Sequence, residues 1–195
     1  MAQITIIPGF PDGQRDRAAA LYWQAFGAKL GRIMAPEARA LNFFEAILNP
    51  GYAISALDAR GRVIGLAGFK TQEGSLTGGG FRDLARAYGW FGALWRAPVL
   101  SILERPVAPG ILLMDGICVD TAARGQGVGT RLLDAIKAEA AQREEIHVRL
   151  DVIDINPRAR ALYERQGFVA QGTENIGPLR HLLGFSKATR MRYTL

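Results

Sequence analysis

Three features between residues 115 and 163 have the residue types that move protons or hold anions. Residues 124–130 read RGQGVGT, three alternate glycines between an arginine and a run with helical periodicity. Alternate glycines keep side chains off the backbone, so main-chain N–H groups can converge on an anion, and a helix starting there adds free amides and its dipole. A bare strand-to-helix turn is the plainer reading. Asp115 stands on an otherwise apolar run, four residues before Val119. A carboxylate in that setting is expected to have a raised pKa and to act as a base, unless it pairs with an arginine or lies where strands part. Tyr163 carries a phenol that keeps its proton at neutral pH, although a core tyrosine on an amphipathic helix is the alternative. Glu73, Glu104 and His181 are weaker candidates for a base. Cys118 is the single cysteine and has no histidine near it in sequence, so it reads as buried packing. His147 reads as structural, and no metal-ligating constellation is expected.

Two nucleotide-binding loops fail on spacing. A P-loop needs a lysine after its last glycine, and none follows here; a dinucleotide fingerprint counted from Gly125 would need glycine where Thr130 stands. The pattern that remains is R-x-x-G-x-G, met by Arg124, Gly127 and Gly129.

The elements that must position these residues can be read from periodicity and punctuation. ITII at 4–7 predicts a first strand, and Ala18, Leu21, Tyr22, Ala25 and Phe26 mark one face of a helix over 15–30. A second helix is expected from Pro36 to Leu48, ended by Asn49, Pro50 and Gly51, and then a hairpin of 52–57 and 62–69. Residues 71–110 are the least regular part, with an aromatic-rich, helical stretch at 81–95. A buried strand is expected over 111–119, then the glycine loop and a helix with Leu132, Leu133, Ile136 and Ala140 inward. The strand 146–153 precedes a helix whose punctuation is clear: Asn156 for the N-cap, Pro157 at the first helical position, Gly167 as the left-handed stop. Strands from Phe168 and near 189–195 end the chain. The alternation of strands and helices, with no linker or repeat, predicts one α/β domain over 1–195.

Composition narrows the class. A chain of 195 residues with 49% hydrophobic and 22% charged residues is expected to fold on its own as a globular protein. The net charge is +6, and arginines outnumber lysines 20 to 4, but they are dispersed with no block of five like charges, so no nucleic-acid partner is expected. The longest apolar stretch, 88–103, is broken by Arg96 and Pro98, so no membrane span is expected. The N-terminus lacks a signal-peptide pattern, and one cysteine fits a reducing compartment; a cytoplasmic location is expected.

The string R-x-x-G-x-G resembles the pyrophosphate loop of the GCN5-related N-acetyltransferases. It follows an apolar strand, opens an amphipathic helix, and precedes N-x-x-A-x-x-L-Y-x-x-x-G-F from Asn156 to Phe168, a second string similar to that family's. The resemblance implies a mixed, mostly antiparallel central sheet flanked by helices. It implies acetyl-CoA as co-substrate and direct transfer of the acetyl group to a primary amine, on a small molecule or a peptide, in a ternary complex. A non-catalytic coenzyme A-binding regulatory domain is the alternative. By the same resemblance, the backbone of Arg124, Gly125, Gln126, Gly127, Val128, Gly129 and Thr130 would cradle the pyrophosphate. Ile117 and Val119 would pair with the pantetheine arm, Asn156 would contact it, Tyr163 would protonate the departing thiolate, and Asp115 would be the base. Residues 71–110 depart from the family pattern as an insertion before the central strand. They are expected to form a lid or a homodimer surface rather than extra core.

Overall fold

A computed structural model of the chain describes residues 3–104, 106–177 and 184–195. Along them run β1 (Thr5–Pro8), α1 (Arg15–Met34), α2 (Glu37–Ile47), β2 (Ala53–Leu57), β3 (Val63–Lys70), α3 (Phe81–Leu103), β4 (Ile111–Val119), α4 (Val128–Gln142), β5 (His147–Ile153), α5 (Pro157–Arg165), β6 (Val169–Asn175) and β7 (Lys187–Thr194). β4 has the expected bounds. α1 runs a turn further than its apolar face predicted, and α3 is far longer than 81–95. The punctuation of α5 is as read: the Asn156 side chain accepts from the Ala159 amide at 3.2 Å, Pro157 opens the helix, and Gly167 has φ +84°.

Among the described residues the strands form one sheet in the order β1-β2-β3-β4-β5-β7-β6. All neighbours are antiparallel except β4 and β5. That parallel pair is short: Ile111, Leu112 and Leu113 face His147, Val148 and Arg149, and beyond them the strands part. On its other edge β4 stays paired with β3 to Val119, with one irregularity. Gly68 faces Gly116 and Phe69 faces Met114, so Asp115 is the extra residue of a β-bulge.

The two faces of the sheet carry separate cores. On one, α1, α2 and α3 bring Tyr22, Phe43, Phe44 and Tyr88 against Leu66 and Cys118. On the other, α4 packs Val128, Leu132 and Ile136 against Val148 and Leu150, with Tyr163 and Phe168 alongside. Two glycines permit close approach. A Cβ on Gly116 would lie 2.3 Å from Phe26 of α1, and one on Gly65 would lie 2.8 Å from Val128 of α4.

α3 has a buried face as well as an exposed one. Leu84, Tyr88 and Ala93 are buried, while Trp90, Phe91 and Leu94 are exposed. Gly89 turns to φ +72° and kinks the helix between them. α3 also closes the end of α1, whose last carbonyls lack helical partners. Tyr88 donates its hydroxyl to the Met34 carbonyl at 2.6 Å, and Arg96 donates to those of Ile33 and Ala35 at 2.7 and 3.1 Å. The segment expected to be lid or interface is thus also core, because long-range hydrogen bonds that periodicity does not reveal tie it to α1.

Candidate active site

The chemistry-bearing residues gather along β4 where β5 leaves it. The Asp120 amide bonds the Ile64 carbonyl at 2.9 Å, which fixes the alternation of the β3–β4 ladder. Val119 opposite Gly65 and Ile117 opposite Ala67 are therefore non-bonded pairs whose N–H and C=O point away from β3, into the parting. Arg124 claims one of these groups, donating from Nε to the Val119 carbonyl at 3.3 Å.

The bulge brings Asp115 to the α1 face together with Gly116. Its Oδ2 is buried and has no hydrogen-bond partner among the described residues. Burial raises its pKa to about 6, and the charge of Lys70 restrains the rise. The carboxylate borders a pocket of about 320 Å³ between the sheet and α1, α2 and α3. Tyr22, which the sequence marked only as part of a helical face, lies in the same pocket. Its phenol is raised in pKa by burial first and then by the charge of Asp115. Periodicity reported its burial, but only the bulge on β4 places it beside a carboxylate.

The glycine loop leads from β4 into α4. Gly125 and Gly127 have φ +77° and +78°, a region that favours glycine, and a Cβ on either would meet nothing within 4 Å. Gly127 is the N-cap of α4, which has no side-chain cap, so the amides of its first turn, from Val128 to Thr130, are left to an external acceptor. Gln126 donates to the Ala122 carbonyl at 3.0 Å. Gly129 has a packing reason too, since a Cβ there would approach Leu162 of α5 to 3.2 Å. A residue the sequence reading missed holds this loop in place. Asp120 accepts from the Ala122 amide at 2.9 Å and forms ion pairs with Arg17 and Arg62, contacts that hold its carboxyl below the usual range. Asp followed two residues later by a turn amide was the available sequence signal.

Asn156 sits at the start of α5 with its Oδ1 engaged in the cap. Tyr163 is buried about two turns further on, against Phe168 at 6.0 Å between ring centres. Its phenol is raised in pKa by burial and then by the charge of Cys118. Cys118 is buried and its thiol is pushed up to about 12. His147 meets the Thr194 hydroxyl at 3.2 Å, at the far end of β5. Among the rival bases, Glu73 faces Arg143 at 3.9 Å, away from the pocket, Glu104 lies at the pocket's edge, and His181 lies outside the described residues. Among the described residues no group of three or more His, Cys, Asp or Glu could hold a metal, and no helix is long and apolar enough to cross a membrane.

Comparison with known proteins bears on the same elements. The fold matches a GCN5-related N-acetyltransferase from Kribbella flavida with a TM-score of 0.65 at 18% identity, covering 98% of each chain. It matches an N-acetyltransferase from Staphylococcus aureus Mu50 with a TM-score of 0.66 at 14% identity, covering 97% of this chain and 100% of that one. Ard1 from Thermoplasma volcanium matches at 0.61 and 17% identity, over 98% and 97%. At these identities the likeness is one of fold. The sequence itself matches the model of the acetyltransferase (GNAT) family over residues 16–168, a span that takes in the parting of β4 and β5, the glycine loop and α5, and the chain belongs to that family of acetyltransferases.

Proposed function

We propose that the chain transfers an acetyl group from acetyl-CoA to a primary amine while both are bound. The observation that carries this reading is the continuous path from the glycine loop, along the outward backbone groups of Val119 and Ile117, to the unpartnered carboxylate of Asp115. The residues present fit the co-substrate. Open space before Gly125 and Gly127, with uncapped amides behind it, suits a pyrophosphate. The outward groups of Ile117 and the Val119 amide suit an extended amide-bearing arm, which Asn156, at the start of the helix that follows β5, would also contact. Bound there, acetyl-CoA supplies an activated acyl carbon and a thiolate leaving group.

The chain's own residues do the rest. Asp115, ionised above pH 6 and short of partners, takes the proton that frees the nitrogen's lone pair, and a second N–H proton passes to solvent as the N–C bond forms and the C–S bond breaks. The Val119 amide, aimed into the parting, polarises the acyl oxygen. Tyr163 holds the proton that the sulfur needs as it leaves, and the raised pKa keeps that proton in place at neutral pH.

Gly127→Glu tests the reading. It sets a carboxylate in front of the α4 amides, and coenzyme A affinity is expected to fall at least ~10-fold, or ~1.4 kcal/mol, by calorimetry. Thermal melting checks that the strain of a side chain at φ +78° has not unfolded the protein. Unchanged affinity in a folded variant overturns the assignment.

A further inference from the structure

The pocket beside Asp115 is apolar in its body and acidic at the sheet, in a protein whose net charge is +6. Phe26, Met34, Phe43, Phe44, Ile47 and Leu100 supply walls from three helices. Asp115 and Asp151 border it from the sheet, Glu104 from its edge, and Lys70 is the single cation among the described lining residues. Asp151 is paired with Arg149 at 3.5 Å and Arg190 at 4.0 Å, whereas Asp115 has no ion pair, and a buried oxygen without a hydrogen-bond partner, among the described residues. The space of about 320 Å³ is at the small end of ligand pockets.

We propose, on the acetyl-transfer reading above, that the acceptor is a small monoamine with an apolar aromatic or branched body, its ammonium group at Asp115 and its body among Phe26, Phe43 and Phe44. A second cation on the same molecule would have to leave water for mostly aromatic and aliphatic walls, where, among the described lining residues, Glu104 at the edge is the one carboxylate besides the arginine-paired Asp151 to meet it, which is costly for a charge held in the body of the pocket. A peptide main chain would bring unpaired amides and carbonyls to the same surface. Linear polyamines, aminoglycosides and peptide N-termini are therefore poor fits, and an amine such as 2-phenylethylamine is a good one.

The test measures thiol release with 2-phenylethylamine, spermidine, an aminoglycoside and a short peptide, alongside calorimetric binding of 2-phenylethylamine to wild type and Asp115→Asn. Expected are kcat/KM for 2-phenylethylamine at least tenfold above the other three, and binding that weakens at least tenfold in Asp115→Asn. Leu100→Asp, which places a second carboxylate on the wall, is expected to narrow the gap between 2-phenylethylamine and spermidine. Faster turnover with spermidine, aminoglycoside or peptide overturns the inference while leaving acetyl transfer intact. No thiol release with any amine, together with firm binding of 2-phenylethylamine, overturns acetyl transfer and keeps the pocket assignment. Absence of that binding overturns the inference whatever the turnover.

Discussion

At the scale of the residue, Asp115 couples function to stability in opposite directions. Its pKa rises from 3.8 in the unfolded chain to about 6 in the fold, so the folded state holds this proton more tightly. The associated stability is complete below pH 3.8, declines between 3.8 and 6, and is gone above 6, a difference of about 3 kcal/mol. Asp115→Asn removes the ionisation, and its melting temperature is expected to exceed wild type by several degrees at pH 8 and to match it near pH 4. Activity should move the other way. Wild-type kcat/KM is expected to fall as pH drops through about 6, and Asp115→Asn to be slow at every pH with that limb absent. A limb near pH 6 that survives the substitution assigns the base elsewhere. Tyr163→Phe separates role from packing in the same way. The ring keeps its place against Phe168, so melting is expected to change by under ~1.5 kcal/mol while kcat falls ~10²-fold. Turnover within about threefold of wild type would remove Tyr163 as the acid.

At the scale of the element, legibility followed locality. The α5 cap, the bounds of β4 and the left-handed Gly167 could be read from sequence because each depends on a few adjacent residues. The full length of α3 could not, since Gly89, Gly92 and Pro98 interrupt its pattern and its support comes from α1, more than fifty positions earlier. The same holds for Tyr22, whose neighbour Asp115 is set by a bulge in a strand over ninety residues away. Two predictions belong here. Arg96→Ala strips donors from the Ile33 and Ala35 carbonyls, and melting is expected to drop by several degrees, as α3 and the end of α1 loosen together. Asp120→Ala removes the turn cap ahead of the glycine loop, at a cost of ~1 kcal/mol and a melting shift of about 2–4 °C, and KM for the co-substrate should rise more than KM for the amine. Equal changes in both constants would show that Asp120 serves general stability alone.

At the scale of the whole molecule, the sheet separates two territories. α1, α2 and α3 wall the pocket proposed for the acceptor on one face, and α4 and α5 flank the glycine loop on the other, with β4 reaching both. Two ligands so placed have no surface to contest, and the one thiol is buried with its pKa pushed up to about 12, unfit to carry an acyl group between them. Initial-velocity plots are therefore expected to intersect, and Cys118→Ala to keep turnover within a few-fold of wild type. Parallel lines would point to an acyl-enzyme. The family and its mostly antiparallel sheet were legible from two strings of residues, whereas the parting was not, because it depends on how far β4 and β5 stay in register. That parting has a consequence in isotope exchange. The amides of Gly116 and Cys118 are tied to β3, while those of Ile117 and Val119 between them face outward, so a strand at the centre of the protein should take up deuterium at every second position. Coenzyme A should slow Ile117 and Val119 and leave their neighbours unchanged, erasing the alternation from one edge of the strand alone.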